Sequence, residues 1–218
     1  MYKYTEKFVA DLLFKKNAIR IGTLEGFQKM EHKAGISDPL EGYYVDELKL
    51  DHFNQDDYHS IPGLKESLKG NVSIGPNTTM NFYGTTFHKE VRSPNYLIFC
   101  FAHTKSKSIM QEFEGADTCF QIVRPLFFPL ITWSLEKKLQ TKVKFLGVHE
   151  IIYGNKLRTR TDKYSERIPP ALAKTQQFAS QCELRAIWEV PENFTLTQPY
   201  YDLTNVVGLR TCCEIIEL

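Results

Sequence analysis

The segment QCELRAIWEV, residues 181–190, alternates apolar and polar positions along most of its length. Strand side chains repeat every two residues. Leu184, Ala186, Trp188 and Val190 therefore share one face, and Gln181, Glu183, Arg185 and Ile187 the other. The second face carries an amide, a carboxylate and a guanidinium in one row. Such a row is either the wall of a site or a solvated strand face whose charges pair with their neighbours.

The same pattern predicts the other elements. Residues 5–16 read as an amphipathic helix, with Phe8/Leu12 and Val9/Leu13 at i, i+4, Lys15 and Lys16 in the last turn and Asn17 as C-terminal cap. AIRIG follows as a short strand with Ile19 and Ile21 on one face and Arg20 with Gly22 on the other. Residues 23–95 are the least regular part, with turn formers Asp38-Pro39 and Gly42 before a strand over Tyr43–Leu50. YLIFCFA, residues 96–102, and TCFQIV, residues 118–123, are continuous apolar runs suited to strands buried on both faces. PLFFPLITWSLEKKL is a helix whose stripe is Phe127, Ile131, Leu135 and Leu139, with Pro129 in its first turn. VKFLGVHEIIYG reads as a strand pair or one bulged strand, with Gly147 as the irregularity. Short helices are expected near 105–114 and 169–178. No repeat or composition shift divides the chain, so residues 1–218 are expected to form a single α+β domain, a mixed twisted sheet flanked by helices.

Composition narrows the partners. The chain has 218 residues, 42% hydrophobic and 24% charged, with a formal net charge of +1. That balance gives no global attraction to nucleic acid or membrane, so any basic surface is local. The 15 Phe and 11 Tyr supply core and rings able to stack on a planar ligand. Five cysteines, an odd number without a CxxC, read as buried free thiols of a reducing compartment. The N-terminus lacks the features of a signal peptide and no apolar run reaches membrane-spanning length, so a cytoplasmic protein without membrane contact is expected.

Several clusters carry residues of chemical interest. RIGTLEG is neither GxGxxG nor GxxxxGK[ST], and reads as a strand-to-helix corner in which Gly22 allows close backbone approach and Gly26 is a turn or early-helix residue. DHFNQDDYH gathers Asp51, His52, Asp56, Asp57 and His59, but matches no calcium or zinc spacing and reads as a solvated acidic loop; no metal is expected. HEIIY lacks the second His of a zinc-protease helix, whereas His103 follows a buried strand where loops often carry site residues. KLRTRTDKYSER carries Lys156, Arg158, Arg160, Lys163 and Arg167 around Tyr164, a pattern suited to phosphates and stacked bases. No Ser-His-Asp triad, Cys-His nucleophile or paired-carboxylate spacing is present.

An Arg on the first strand, an apolar central strand and a Gln-x-Glu at a late strand resemble the skeleton of the ADP-ribosyltransferase fold. RIGTLEGFQKME, SDPLEG, YLIFCFA and KTQQFASQCELRAIW are also similar to bacterial proteins with an RxGTL…DPxEG…QxExR arrangement, some of which occur as toxins or phage-defence effectors. The fold's middle motif, a Ser-rich strand or a Tyr, has no counterpart in YLIFCFAHT.

The resemblance implies an enzyme that uses NAD as substrate. In it, Arg20 would hold the NAD phosphates or ribose beside Gly22 and Thr23, and Tyr83 or Phe99 would stack on nicotinamide. Glu183 would stabilise the oxocarbenium-like transition state, and Gln181 would orient the acceptor. Arg185 is read as a structural partner of a nearby acid. The acceptor would be a nucleic acid or protein touched by Arg158, Arg160, Lys163 and Tyr164, and an antitoxin or immunity protein would be the partner. One alternative is a non-enzymatic module that binds nucleic acid or protein through the basic loop 156–167, and a third reading is a nuclease that uses the acidic segment DHFNQDDYH.

Overall fold

Strand β5 (Leu97–Ala102) is the axis of the larger sheet. β11 (Glu183–Glu189) pairs along the whole of one edge, from Glu183 opposite Ala102 to Trp188 opposite Leu97. The other edge is shared by two strands. β2 (Ile19–Thr23) places Gly22 opposite Ile98 and Thr23 opposite Leu97, and β1 (Tyr2–Thr5) places Tyr2 opposite Ala102. Between these two contacts the edge of β5 at residues 99–101 has no strand beside it among the described residues.

The structure is a computed structural model that describes residues 1–29, 40–61, 64–70, 72–73, 75, 78–159 and 169–218. After β1 and β2, with α1 (Lys7–Lys16) between them, come α2 (Leu24–Lys29), β3 (Tyr43–Asn54), α3 (Gln55–Ser60), α4 (Leu64–Leu68) and β4 (Asn81–Arg92). β5 is followed by α5 (Lys107–Gln111), β6 (Thr118–Ile122), α6 (Phe127–Leu139), β7 (Lys144–Glu150), β8 (Ile152–Gly154), β9 (Leu157–Thr159) and β10 (Ala173–Thr175). β11, β12 (Tyr200–Leu203) and β13 (Cys213–Ile216) complete the order. Short 3-10 turns at Pro170–Leu172 and Gln176–Gln181 replace the helix expected near 169–178. No helix among the described residues is long and apolar enough to cross a membrane.

The chain divides into two compact units: Met1–Tyr43 with Arg92–Asn155 and Ile168–Leu218, and Tyr44–Val91 with Lys156–Arg167. The architecture is α+β, but the mixed sheet is corrected. In the eight-stranded sheet, of order β12-β2-β5-β1-β6-β13 with β11 beside β5 and β7 beyond β11, every pairing is antiparallel. The reason is β1, which the sequence reading did not identify. β5 and β6, joined through α5, run in the same direction, and β1 inserts between them against both. Among the described residues, parallel pairs occur in the small β8–β10 and β3–β9 sheets.

One face of the sheet is the main core. Leu97, Phe99 and Phe101 of β5 and Leu184, Ala186 and Trp188 of β11 pack there with Ala10 and Leu13 of α1 and with Phe127, Ile131 and Leu135 of α6. The buried indole N–H of Trp188 requires an acceptor and donates to Thr132 Oγ1 at 2.8 Å. The stripe of α6 is as the periodicity predicts. That of α1 is shifted, since Ala10 and Leu13 are buried while Phe8 and Leu12 are exposed. Asn17 caps α1 in the left-handed conformation (φ 47°). Gly147, at φ +118°, accompanies the register shift where Ile187 faces Gly147 but Trp188 faces Phe145. Of the cysteines, Cys119, Cys212 and Cys213 are buried as expected, Cys100 is half-buried and Cys182 is exposed.

The opposite face of β5 carries Ile98, packed with Leu24 and Phe27 of α2 and with Ala171. α2 meets the sheet through Gly26. A Cβ built there would lie 2.1 Å from Pro199 O, a backbone atom that also accepts the Thr23 N–H at 2.9 Å. Gly26→Ala is expected to cost about 1–3 kcal/mol, read as a melting temperature lowered by several degrees. An unchanged melt would show that this corner yields without strain.

The second unit has the sheet order β4-β3-β9 and a core of Phe53, Tyr58, Leu64 and Leu68. The acidic segment expected as a loop is the end of β3 followed by α3. Asn54 Oδ1 accepts from the N–H groups of Asp56 and Asp57, and Asp57 Oδ2 accepts from the Asn54 N–H, a capping box. Tyr83 belongs to this unit, exposed, with its ring 4.8 Å from that of His52.

Candidate functional site

Glu183 begins β11 where the 3-10 turn ends in Cys182, itself in the left-handed conformation (φ 46°). The Glu183 N–H donates to Tyr153 Oη at 2.8 Å. Residues directly opposite in an antiparallel pair share a face. Glu183 opposite Ala102 and Arg185 opposite Cys100 therefore project away from the main core. The solvated-face reading does not hold, since both side chains are buried, with 6% and 2% exposure.

Their charges are matched internally. Arg185 Nε donates to Glu183 Oε1 at 2.6 Å. Its Nη1 and Nη2 grip Glu41 Oε1 and Oε2 at 2.6 and 2.9 Å, and Nη1 also reaches Ala171 O at 2.7 Å. Lys174 Nζ donates to Glu183 Oε2 at 2.8 Å and to Gln181 Oε1 at 2.9 Å, and lies 4.4 Å from the Phe178 ring centre. The result is a buried chain Glu41–Arg185–Glu183–Lys174–Gln181 of alternating charge ending in an amide. Glu41 and Arg185, far apart in sequence, meet here, with Glu41 anchored by Gln28 donating to its carbonyl and by Gly42 at φ +71°.

Burial alone would raise the Glu183 carboxyl, but Arg185 and Lys174 overcome that effect and hold it well below the ordinary carboxylate range. Burial likewise opposes the Arg185 charge, and Glu183 and Glu41 hold the guanidinium protonated. Burial pushes the Cys100 thiol up to about 12, with Glu183 adding to it, so this thiol is inert at neutral pH. Tyr153 is also pushed up to about 12, mainly by burial.

A carboxylate fixed in its ionised form is poorly suited to general acid or base work near neutrality, but well suited to stabilising positive charge. Each Glu183 oxygen accepts one bond from these cations, within a capacity of about four for a carboxylate. Because the folded carboxyl titrates below the ordinary value of 4.5, the folded state binds fewer protons than the unfolded one as pH falls through that range. The stabilisation is therefore complete above pH 4.5 and lost on acidification. Melting temperatures measured across pH 3–7 are expected to fall more steeply for the native chain than for Glu183→Gln; parallel curves would contradict this.

The network walls a cavity of about 130 Å³ that also touches Lys3, Tyr4, Phe27 and Phe113. Lys3 shares a face with Phe120, towards the core, and its ammonium reaches the edge of β5 that no strand covers among the described residues, donating to Cys100 O at 2.7 Å and lying 5.1 Å from the Phe99 ring centre. Residues from both faces line one cavity because the sheet is split there.

The other expected residues are placed elsewhere. Arg20 lines a second cavity of about 310 Å³ with Thr23 and Tyr200. Its Nε and Nη2 donate to Asp202 at 2.7 and 3.0 Å, which raises its pKa, and its guanidinium lies 3.6 Å from the Tyr200 ring centre. Of these two cavities, among the described residues, Arg20 lines one and Glu183 the other, although the register sets them on the same face of the sheet through Gly22 opposite Ile98. Gly22 lies against Phe27, and Thr23 Oγ1 is bonded to Pro199 O and to the Gly26 N–H.

Phe99 is corrected as a stacking candidate: it is core, 5.7 Å from Phe127 between ring centres. Gln181 is buried, with its carbonyl oxygen taken by Lys174. His103 is exposed, and its backbone N–H donates to Cys182 O. Arg158 lies in β9 opposite Asp46, Lys156 is buried, and Arg160, Lys163 and Tyr164 lie outside the described residues.

Sequence reasoning assigned no role to Glu41, Lys174 or Lys3. Glu41 and Lys174 fall inside the quoted segments SDPLEG and KTQQFASQCELRAIW, which was the available signal; Lys3 had none, because β1 was not recognised. Compared with known protein families, with curated proteins and with solved structures, the chain matches none of them.

Proposed function

We propose that the chain is an NAD-dependent ADP-ribosyltransferase that modifies a nucleic acid or protein, with Glu183 at its reactive centre. The observation that carries this reading is the ionised Glu183 carboxylate on the wall of a cavity, fixed by Lys174 and Arg185. Loss of nicotinamide leaves positive charge on the ribosyl carbon, and a preorganised carboxylate lowers the barrier to that step. A cavity of about 130 Å³ suits one end of a dinucleotide rather than its whole length. Gln181, through its bond to Lys174, acts by holding that ammonium on Glu183. The setting that suits such an activity is the cytoplasm of a bacterium, as a toxin or phage-defence effector restrained by an antitoxin or immunity partner.

The test incubates the full chain with NAD and with pools of RNA, DNA and protein, and measures nicotinamide release and transfer of label from the adenylate phosphate. Release that requires Glu183 supports the reading. No release with any pool, or equal release by Glu183→Gln, overturns it.

A further inference from the structure

Within the Glu183 cavity the buried ionic groups pair with one another, and the Lys3 ammonium stands outside those pairs. Arg185 and Lys174 neutralise Glu41 and Glu183. Lys3 touches the same cavity and has no carboxylate within ion-pair distance among the described residues; its one hydrogen bond is to the Cys100 carbonyl. An ammonium has three donors, so two remain. Glu6 and Glu114 also line the cavity, but Glu114 is exposed, Glu6 is half-buried, and each already has an interaction partner. Their charge is screened by solvent more than that of the buried groups.

Arg20, by contrast, already holds a carboxylate through two bonds and stacks on Tyr200 in a different cavity. An anion arriving at Arg20 must displace Asp202 from the guanidinium, whereas one arriving at Lys3 meets a donor with spare N–H groups, in a cavity whose Glu41 and Glu183 carboxylates are already held by Arg185 and Lys174.

We infer that Lys3, and not Arg20, is the residue that binds the anionic diphosphate of the ligand in the Glu183 cavity. The inference rests on the transferase reading for the identity of the ligand, but the site is defined by the split edge of β5 alone. Burial lowers the Lys3 pKa, with Lys174 adding to it and Glu183 opposing it. A bound anion reverses that balance by favouring the charged amine.

The experiment measures binding of inorganic pyrophosphate and of ADP-ribose to the full chain by calorimetry. Lys3→Met is expected to weaken both at least tenfold, Lys3→Arg to retain affinity within a few fold, and Arg20→Met to leave it unchanged. In parallel, native protein is reductively methylated with and without pyrophosphate, and protection of Lys3 is read by mass spectrometry, which requires no variant to fold. Protection of Lys3 is the expected result.

Undiminished binding by folded Lys3→Met, loss of binding in Arg20→Met, or unprotected Lys3 at saturating pyrophosphate overturns the inference, as does a native chain that binds neither probe. Lys3-dependent pyrophosphate binding without nicotinamide release overturns the transferase reading alone. Nicotinamide release with Lys3-independent binding overturns this inference alone.

Discussion

Arg185→Met is expected to lower folding stability by about 3–5 kcal/mol, the usual consequence of removing one partner from a buried ion pair. The guanidinium is nearly inaccessible and serves Glu41, Glu183 and the Ala171 carbonyl together. Without it, Glu41 loses its cation altogether and Glu183 keeps only Lys174, so two buried carboxylates are left with one ammonium. Arg185→Lys is expected to recover only part of the loss, because a point charge cannot grip both Glu41 oxygens while reaching Glu183. Denaturant midpoints check this. A double-mutant cycle with Glu41→Gln should show strong coupling, since the second change removes a charge that the first leaves unpaired. A loss under about 1 kcal/mol for Arg185→Met would show that the network contributes little to holding the fold.

The second large effect is on turnover. Glu183→Gln is expected to slow nicotinamide release by about 10²–10³-fold, the scale seen when one preorganised electrostatic group is removed from an active site. The effect should fall on kcat rather than KM, because the charge matters most when the ribosyl carbon becomes positive. The amide keeps the volume but sets an NH2 against donors from Lys174 or Arg185, so stability falls as well. The comparison is therefore made per folded molecule, at a temperature well below the variant's melt. A fall of less than about threefold would remove Glu183 from the chemistry.

How far the fold was legible depended on how local the cause was. The strand β5, covered on both faces, and the stripe of α6 follow from runs and spacings within a dozen residues. So do the cap at Asn17 and the irregularity at Gly147. The strand β1 was not legible: YKYT is short and polar at every second position, and it becomes a strand because β6 and the end of β5 supply its hydrogen bonds. Missing it also hid the antiparallel character of the sheet and the reach of Lys3.

The site shows the same limit. The alternation of QCELRAIWEV is the same for a solvated charged face as for a buried one with matched charges. What decides between them is Glu41, 144 residues away, and Lys174, nine residues away in no helical or strand spacing. The expectation that Arg20 faces Glu183 identified the right face of the sheet, but not that Asp202 would occupy the guanidinium.

The 144-residue separation of Glu41 and Arg185 bears on when the centre comes into being. Ordering the chain between them must precede the gain from their bond, and such long-range closures belong to slow-forming topologies. Arg20 waits still longer for Asp202, 182 residues on. During synthesis Glu41 emerges early and stays solvated until β11 arrives, so the preorganised carboxylate does not exist in a half-made chain. Whatever the centre does, it begins only once synthesis has passed Arg185, and an inhibitor that binds earlier segments would act before there is anything to inhibit.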